Sequence, residues 1–404
     1  MKKNYAKILI VLFACMILLS ACGVGGGQNI STDTPNTQNI SEPTGTDLTG
    51  TDSTGTETTE VVNNGQGDGL DVIPDSDFSS VYDSDLKGAV VTYLGSARKV
   101  RFPDTINGDP VVGINATSQP TGIEEVSIPN SVKVLHPAAF MNCTGLTSIT
   151  LPDGLTAIGE AAFFGCTGLT SITIPGSVTD IDTTNSPFDG CTGLTDIKVS
   201  DSNTTYADVD GVLFDKAKTK LIFFPRGKNG TYNIPTSVTS MVQDAVNNCT
   251  KLTDISVPNG VADINFSGCT GLVGVTIPDS AISLNLAGCT SLVSIKIPDK
   301  VTYLNFEGCT ALTSVDIPKG IKEIGSSAFK GCTGLTKVTL PDSLTSIQAA
   351  AFAGCTSLTS IKVPYSVKRL DDDAFAGCAL DEDSFDRIFY INPNTLKARQ
   401  AVGR

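Results

Sequence analysis

The chain has 404 residues, room for roughly two or three ordinary domains or one long repeat domain, and 40% of them are hydrophobic, enough for a sizeable core. With 28 Lys and Arg against 42 Asp and Glu, a net charge of −14, it lacks the basic surface that nucleic acid or anionic lipid requires. It contains a single His, no Trp and 12 Cys, so any Ser-His-Asp or Cys-His catalytic site would have to use His136.

Lys2, Lys3 and Lys7 form a positive start, followed by an unbroken apolar run from Ile8 to Leu19. A membrane-spanning helix needs about 20 apolar residues, so this shorter run predicts a secretion signal over residues 1–21. Leu19-Ser20-Ala21-Cys22 then resembles the lipobox of bacterial lipoproteins. The resemblance implies a Cys22 that carries lipid, becomes the new N-terminus and holds the chain at the extracellular face of the envelope. Residues 22–70 are rich in Thr, Gly, Asn, Ser and Asp, with no Lys or Arg. Low hydrophobicity with one-signed charge cannot offset ordering entropy, which predicts a disordered stalk with a typical reach of ~40 Å.

The remainder repeats. Cys143, Cys166 and Cys191 are followed by Cys249, Cys269, Cys289, Cys309, Cys332, Cys355 and Cys378, in steps of 20, 23 or 25 residues with one of 58, and prolines keep the same time. A period in this range means stacked units, none of which can bury its apolar face alone. In Leu146-Thr147-Ser148-Ile149-Thr150-Leu151 the alternation predicts a short half-buried strand, ended by Pro152, which cannot donate to a continuing ladder. Three residues before nearly every Cys stands a large apolar residue, usually Phe, which predicts one continuous aromatic spine.

The pattern C-T-x-L-x-x-I-x-I-P followed by I-G-x-x-A-F-x-G is similar to the BspA-like class of bacterial leucine-rich repeats. The resemblance implies a curved solenoid of short parallel strands with irregular or short helical convex segments, cell-surface exposure and a role in adhesion. Three units, from Val261, Ala281 and Val301, depart from it: Ile264-Asn265-Phe266 replaces a stretch such as Ile158-Gly159-Glu160-Ala161-Ala162-Phe163, so the backs of those coils must be tighter. The 58-residue step holds an insertion at 200–233, read as a β-hairpin from the apolar runs Asp210–Phe214 and Leu221–Pro225. A second hairpin, from Ala89–Leu94 and Lys99–Phe102, is expected to cap the front. Leu380, Phe385, Ile388 and Phe389 fit one helical face and should close the back. The expected organisation is therefore signal 1–21, stalk 22–70, N-terminal cap 71–119, solenoid 120–390 with its insertion, and tail 391–404.

No catalytic, cofactor or metal site emerges. No C-x2-C pair suits zinc, and the acidic runs at 371–373 and 381–383, like Asp208 and Asp210, lack the spacing and distal Glu of a calcium loop. In-register repeat cysteines would have parallel Cβ vectors, so they are expected to stay reduced in the core. The exposed strand positions are small, polar and mixed in charge, poor in the Tyr, Trp and Arg that anchor tight interfaces. The insertion gathers Tyr206, Phe214, Phe223, Phe224 and Arg226, the candidate partner-binding residues, although most of these aromatics are equally expected to pack on the solenoid. These readings predict a non-enzymatic, lipid-anchored module that binds proteins, with membrane contact through Cys22; that the partners include host or neighbouring-cell surface proteins is implied by the family resemblance alone. The alternative is a structural surface-coat protein without a specific ligand.

Overall fold

A computed structural model of the chain describes residues 70, 73–117 and 122–393. The signal, Cys22, the stalk and nearly all of the tail lie outside the described residues. The rest is a β-solenoid of about 12 turns of short parallel strands, opened by an antiparallel hairpin and closed by a helix.

Each coil contributes to two ladders. The first is the wall foreseen from the repeat, with pairs such as Ser171–Ile174 beside Asp196–Val199 and Ser314–Asp316 beside Lys337–Thr339, all parallel and in register. The second runs where the conserved-looking Ile of the I-G segment sits, through Val134–Leu135, Ala157–Ile158 and Asp180–Ile181. In 23-residue coils this second strand is two residues long, because a turn with a left-handed residue follows: Ala161, Ser327 and Ala350 have φ of 52°, 60° and 54°. The three short coils delete that turn. Their strands Asp263–Asn265, Ser283–Asn285 and Tyr303–Asn305 lead straight into the next spine residue. No non-glycine residue in them has a positive φ. The expected tightening is thus the loss of one turn per coil.

The aromatic spine is two stacks. Phe306, Phe329, Phe352 and Phe375 lie face to face at 5.1–5.4 Å with interplanar angles of 3–4°. Phe140, Phe163 and Phe188 stack at 5.7–5.8 Å, and Phe223 continues them. Val246 and Leu286 occupy spine positions between the stacks, so the single continuous spine is corrected to two. Beside the spine, all ten repeat cysteines are buried and free. Cys166, Cys191, Cys269, Cys289, Cys309, Cys332, Cys355 and Cys378 each donate an S–H to the carbonyl of the spine residue one coil earlier, at 3.0–3.2 Å. Most of these carbonyls also accept the amide of the cysteine in their own coil, as Phe140 does from Cys143 and Phe306 from Cys309, so the thiol fills a second acceptor position and ties coil to coil. Burial pushes the Cys289 and Cys332 thiols up to about 12, which keeps them protonated donors.

A hairpin opens the solenoid and a helix closes it, as expected, but the hairpin's strands and one helix position differ. Gly88–Tyr93 pairs antiparallel with Phe78–Asp83, not with the segment after it. The turn between them is held by Asp83, whose carboxylate accepts from the Asp85 and Leu86 amides at 2.9 Å, and by Lys87 at φ 57°. Lys99–Arg101 instead pairs in parallel with Glu125–Ser127 and is already a wall strand. At the back, the helix Glu382–Ile391 begins at Asp381, whose side chain accepts from the Ser384 amide. Its inner face is Ser384 and Ile388, with Leu380 and Ile391 packed alongside, whereas Phe389 faces out. Ser384 Oγ accepts the Ile361 amide at 2.9 Å and so caps an edge strand that has no further coil to pair with.

Candidate functional site

The insertion is built into the core. It is a three-stranded meander: Tyr206–Val209 pairs with Val212–Asp215 through an Asp210-Gly211 turn, and Val212–Asp215 pairs with Lys220–Phe223. Both turn residues have positive φ, 49° and 75°, as a two-residue hairpin turn requires. Lys220–Phe223 then joins the second ladder beside Ser240–Met241, and Gly230–Asn233 joins the wall beside Leu252–Ser256. The strands divide their side chains between the two halves of the solenoid. Leu213, Ile222 and Phe223 pack into the N-terminal core, and Val212, Phe214, Leu221 and Phe224 into the C-terminal one.

The five candidate partner-binding residues are therefore corrected. Phe214, Phe223 and Phe224 are core residues, and Tyr206 is buried with its hydroxyl accepting the Ile181 amide at 3.0 Å. Arg226 is only 2% exposed. Its Nε donates to Asp189 at 3.0 Å, its other nitrogens donate to the Phe224, Ala245 and Asp244 carbonyls, and it lies 4.6 Å over the Phe223 ring. Their shared environment is real, but it is a seam inside the solenoid and offers no side chain to a partner. Deleting 200–233 would remove core from both halves.

The exposed aromatic cluster lies on the C-terminal cap. Tyr365 is 83% exposed and Tyr390 81%. The Arg387 guanidinium sits between them, 4.6 Å from the Tyr365 ring centroid and 5.6 Å from that of Tyr390, with Nη2 donating to the Pro364 carbonyl at 3.2 Å. Two rings and a planar cation preassembled at the surface match the composition of interface anchors, and the stacking holds them with little entropy left to lose. The signal was present in the sequence. After the repeat proline the other coils have Asn130, Asp153, Gly176, Thr236, Asn259, Asp279, Asp299, Lys319 and Asp342, and only this one has an aromatic, Tyr365.

The acids weighed for metal binding have structural partners: Asp208 accepts the Val199 amide, Asp373 the Ala350 amide and Asp372 the Asn392 side chain. Among the described residues no group of three or more His, Cys, Asp or Glu could hold a metal ion. His136 Nε2 is buried against Gly113 and makes no hydrogen bond, so no nucleophile is set against it. None of the helices in the described residues is long and apolar enough to cross a membrane.

The sequence matches the BspA type leucine-rich repeat region (6 copies) over residues 112–229, 222–286 and 283–400, more than half of the chain. The chain belongs to the BspA-type leucine-rich repeat family. This family is non-enzymatic. A leucine-rich repeat protein from Eubacterium ventriosum shares 24% identity and a TM-score of 0.59, covering 76% of this chain and 94% of that one, which supports the same fold. Similarity extends to a leucine-rich repeat protein from Bacteroides ovatus, with 23% identity, TM-score 0.47 and coverage of 77% and 89%. It also extends to a leucine-rich cell surface protein from Faecalibacterium prausnitzii, with 24% identity, TM-score 0.38 and coverage of 66% and 94%. No curated protein matches the chain. Within this BspA-type solenoid, the 200–233 segment is an extra stretch of coil.

Proposed function

We propose that the chain is a lipid-anchored protein-binding module of the bacterial cell surface, tethered through Cys22 and engaging partner proteins with the Tyr365–Arg387–Tyr390 cluster. The observation that carries the reading is the exposure of two tyrosines, the most exposed aromatics among the described residues, around one arginine. The apolar run before Leu19-Ser20-Ala21-Cys22 supports export and anchoring. A patch of this size gives modest affinity per copy, and many copies on one cell multiply it. Two measurements test the two parts. Palmitate labelling in cells should be lost in Cys22→Ala, and persistent labelling would refute the anchor. On an array of matrix and cell-surface proteins, binders of the purified protein should be lost in the Tyr365→Ala/Tyr390→Ala variant. An array with no binders would refute the reading and favour a coat protein.

A further inference from the structure

The three short coils create a recess. Their second-ladder strands lie side by side in exact parallel register, Asp263 with Ser283 with Tyr303 and Asn265 with Asn285 with Asn305. Ile264, Leu284 and Leu304 point inward between these rows, so both rows face out. The preceding coil retains its extra turn, with Asp244 at φ 62°, and the turn of the following long coil carries Ser327 at φ 60°. Deleting the turn from three coils between two that keep it leaves a depression, whose cavity of about 390 Å³ has Gln243, Asp263, Asn265, Ser283, Asn285 and Tyr303 in its lining beside apolar residues such as Met241 and Val246.

Its chemistry is specific. No Lys or Arg lines it, which disfavours phosphate, sulfate or a carboxylated ligand. The Asn285 and Asn305 side-chain oxygens accept the Ala287 and Glu307 amides at 3.2 and 3.0 Å, which fixes both amide planes. Their Nδ2 groups donate to nothing among the described residues, whereas Asn265 Nδ2 is already held by Asp244. The Tyr303 ring is 53% exposed at one end of the row. Fixed amide donors, a carboxylate and a hydroxyl beside an open ring face are what a sugar needs: hydrogen bonds to its hydroxyls and a flat apolar surface for its C–H face. The ladder repeats at ~4.8 Å, close to the length of one pyranose unit in an extended chain.

We infer that this recess is a binding site for a neutral, extended oligosaccharide, stacked on Tyr303 and hydrogen-bonded by Asn285 together with Asp263 and Ser283, with Asn305 continuing the row beyond the cavity. The site is independent of the cap cluster and shares no residue with it. The test is calorimetric titration of the purified protein with cello-, chito- and malto-oligosaccharides of three to six units, alongside a sialylated and a sulfated oligosaccharide. Saturable binding of at least one neutral series is expected. Tyr303→Ala should weaken it about tenfold or more, Tyr303→Phe should leave most of it, and Asn285→Ala should weaken it severalfold. A variant in which Ser283–Leu286 is replaced by the longer Ala157–Phe163 segment, checked by an unchanged circular dichroism spectrum, should abolish it by filling the recess. Binding only of the anionic sugars, no binding of any neutral series at millimolar concentration, or binding untouched by Tyr303→Ala would overturn the assignment. None of these outcomes bears on the Tyr365/Tyr390 variant.

Discussion

At the scale of single residues, the repeat cysteine acts as a hydrogen-bond donor in a dry place. Its thiol is small enough for the core and still satisfies a carbonyl of the coil before it. The mature protein, unfolded in denaturant without reductant, should therefore show near ten reactive thiols by a colorimetric thiol assay. A value near zero would mean that the ladder is cross-linked. His136 gives a second residue-scale prediction. Burial holds its imidazole below the ordinary His value, partly opposed by Asp83, and Nε2 has no partner. The folded state therefore favours the neutral ring, and the unfolded chain binds the proton more readily. Stability is full above about pH 6.5 and falls as pH drops from there through the lowered folded value. Urea midpoints measured between pH 7.5 and 5 should fall less steeply in His136→Asn than in the natural protein. Equal slopes would remove His136 from the account.

At the scale of elements, the insertion shows what a linear pattern conveys and what it withholds. Two apolar runs about a polar turn were legible as paired strands because alternation and turn chemistry are local. Which face each strand buries was not, because Val212 and Leu213 are adjacent in sequence yet serve opposite halves of the solenoid. The strand Tyr206–Val209 was missed although Asp210-Gly211 is a strong two-residue turn signal, and the front hairpin was misassigned because Asp83 and Lys87 make a turn without glycine. Arg226, a partner-binding candidate in the sequence, is the seam's polar pin. Arg226→Met should lower stability by about 3 kcal/mol, since it removes the buried guanidinium's bonds to the Phe224, Ala245 and Asp244 carbonyls and leaves the Asp189 carboxylate without its donor, and Arg226→Lys should recover little because an ammonium cannot span them. Urea unfolding of the two variants checks this, and a loss under about 1 kcal/mol in Arg226→Met would contradict it.

At the scale of the molecule, the repeat made the fold readable from cysteine and proline spacing alone, because every coil solves the same packing problem. The binding surfaces were harder to read, because they arise where coils differ from one another. Tyr365 replaces a turn residue, and three deleted turns open a recess. The solenoid's regular wall is scaffold in this account, and its irregularities carry recognition. The most direct test is the dissociation constant of a protein partner for the natural chain and for Tyr365→Ala/Tyr390→Ala, with the urea midpoint of each measured in parallel. The account predicts at least about a tenfold weakening at an unchanged midpoint. An unchanged dissociation constant in a fully folded double variant would contradict it.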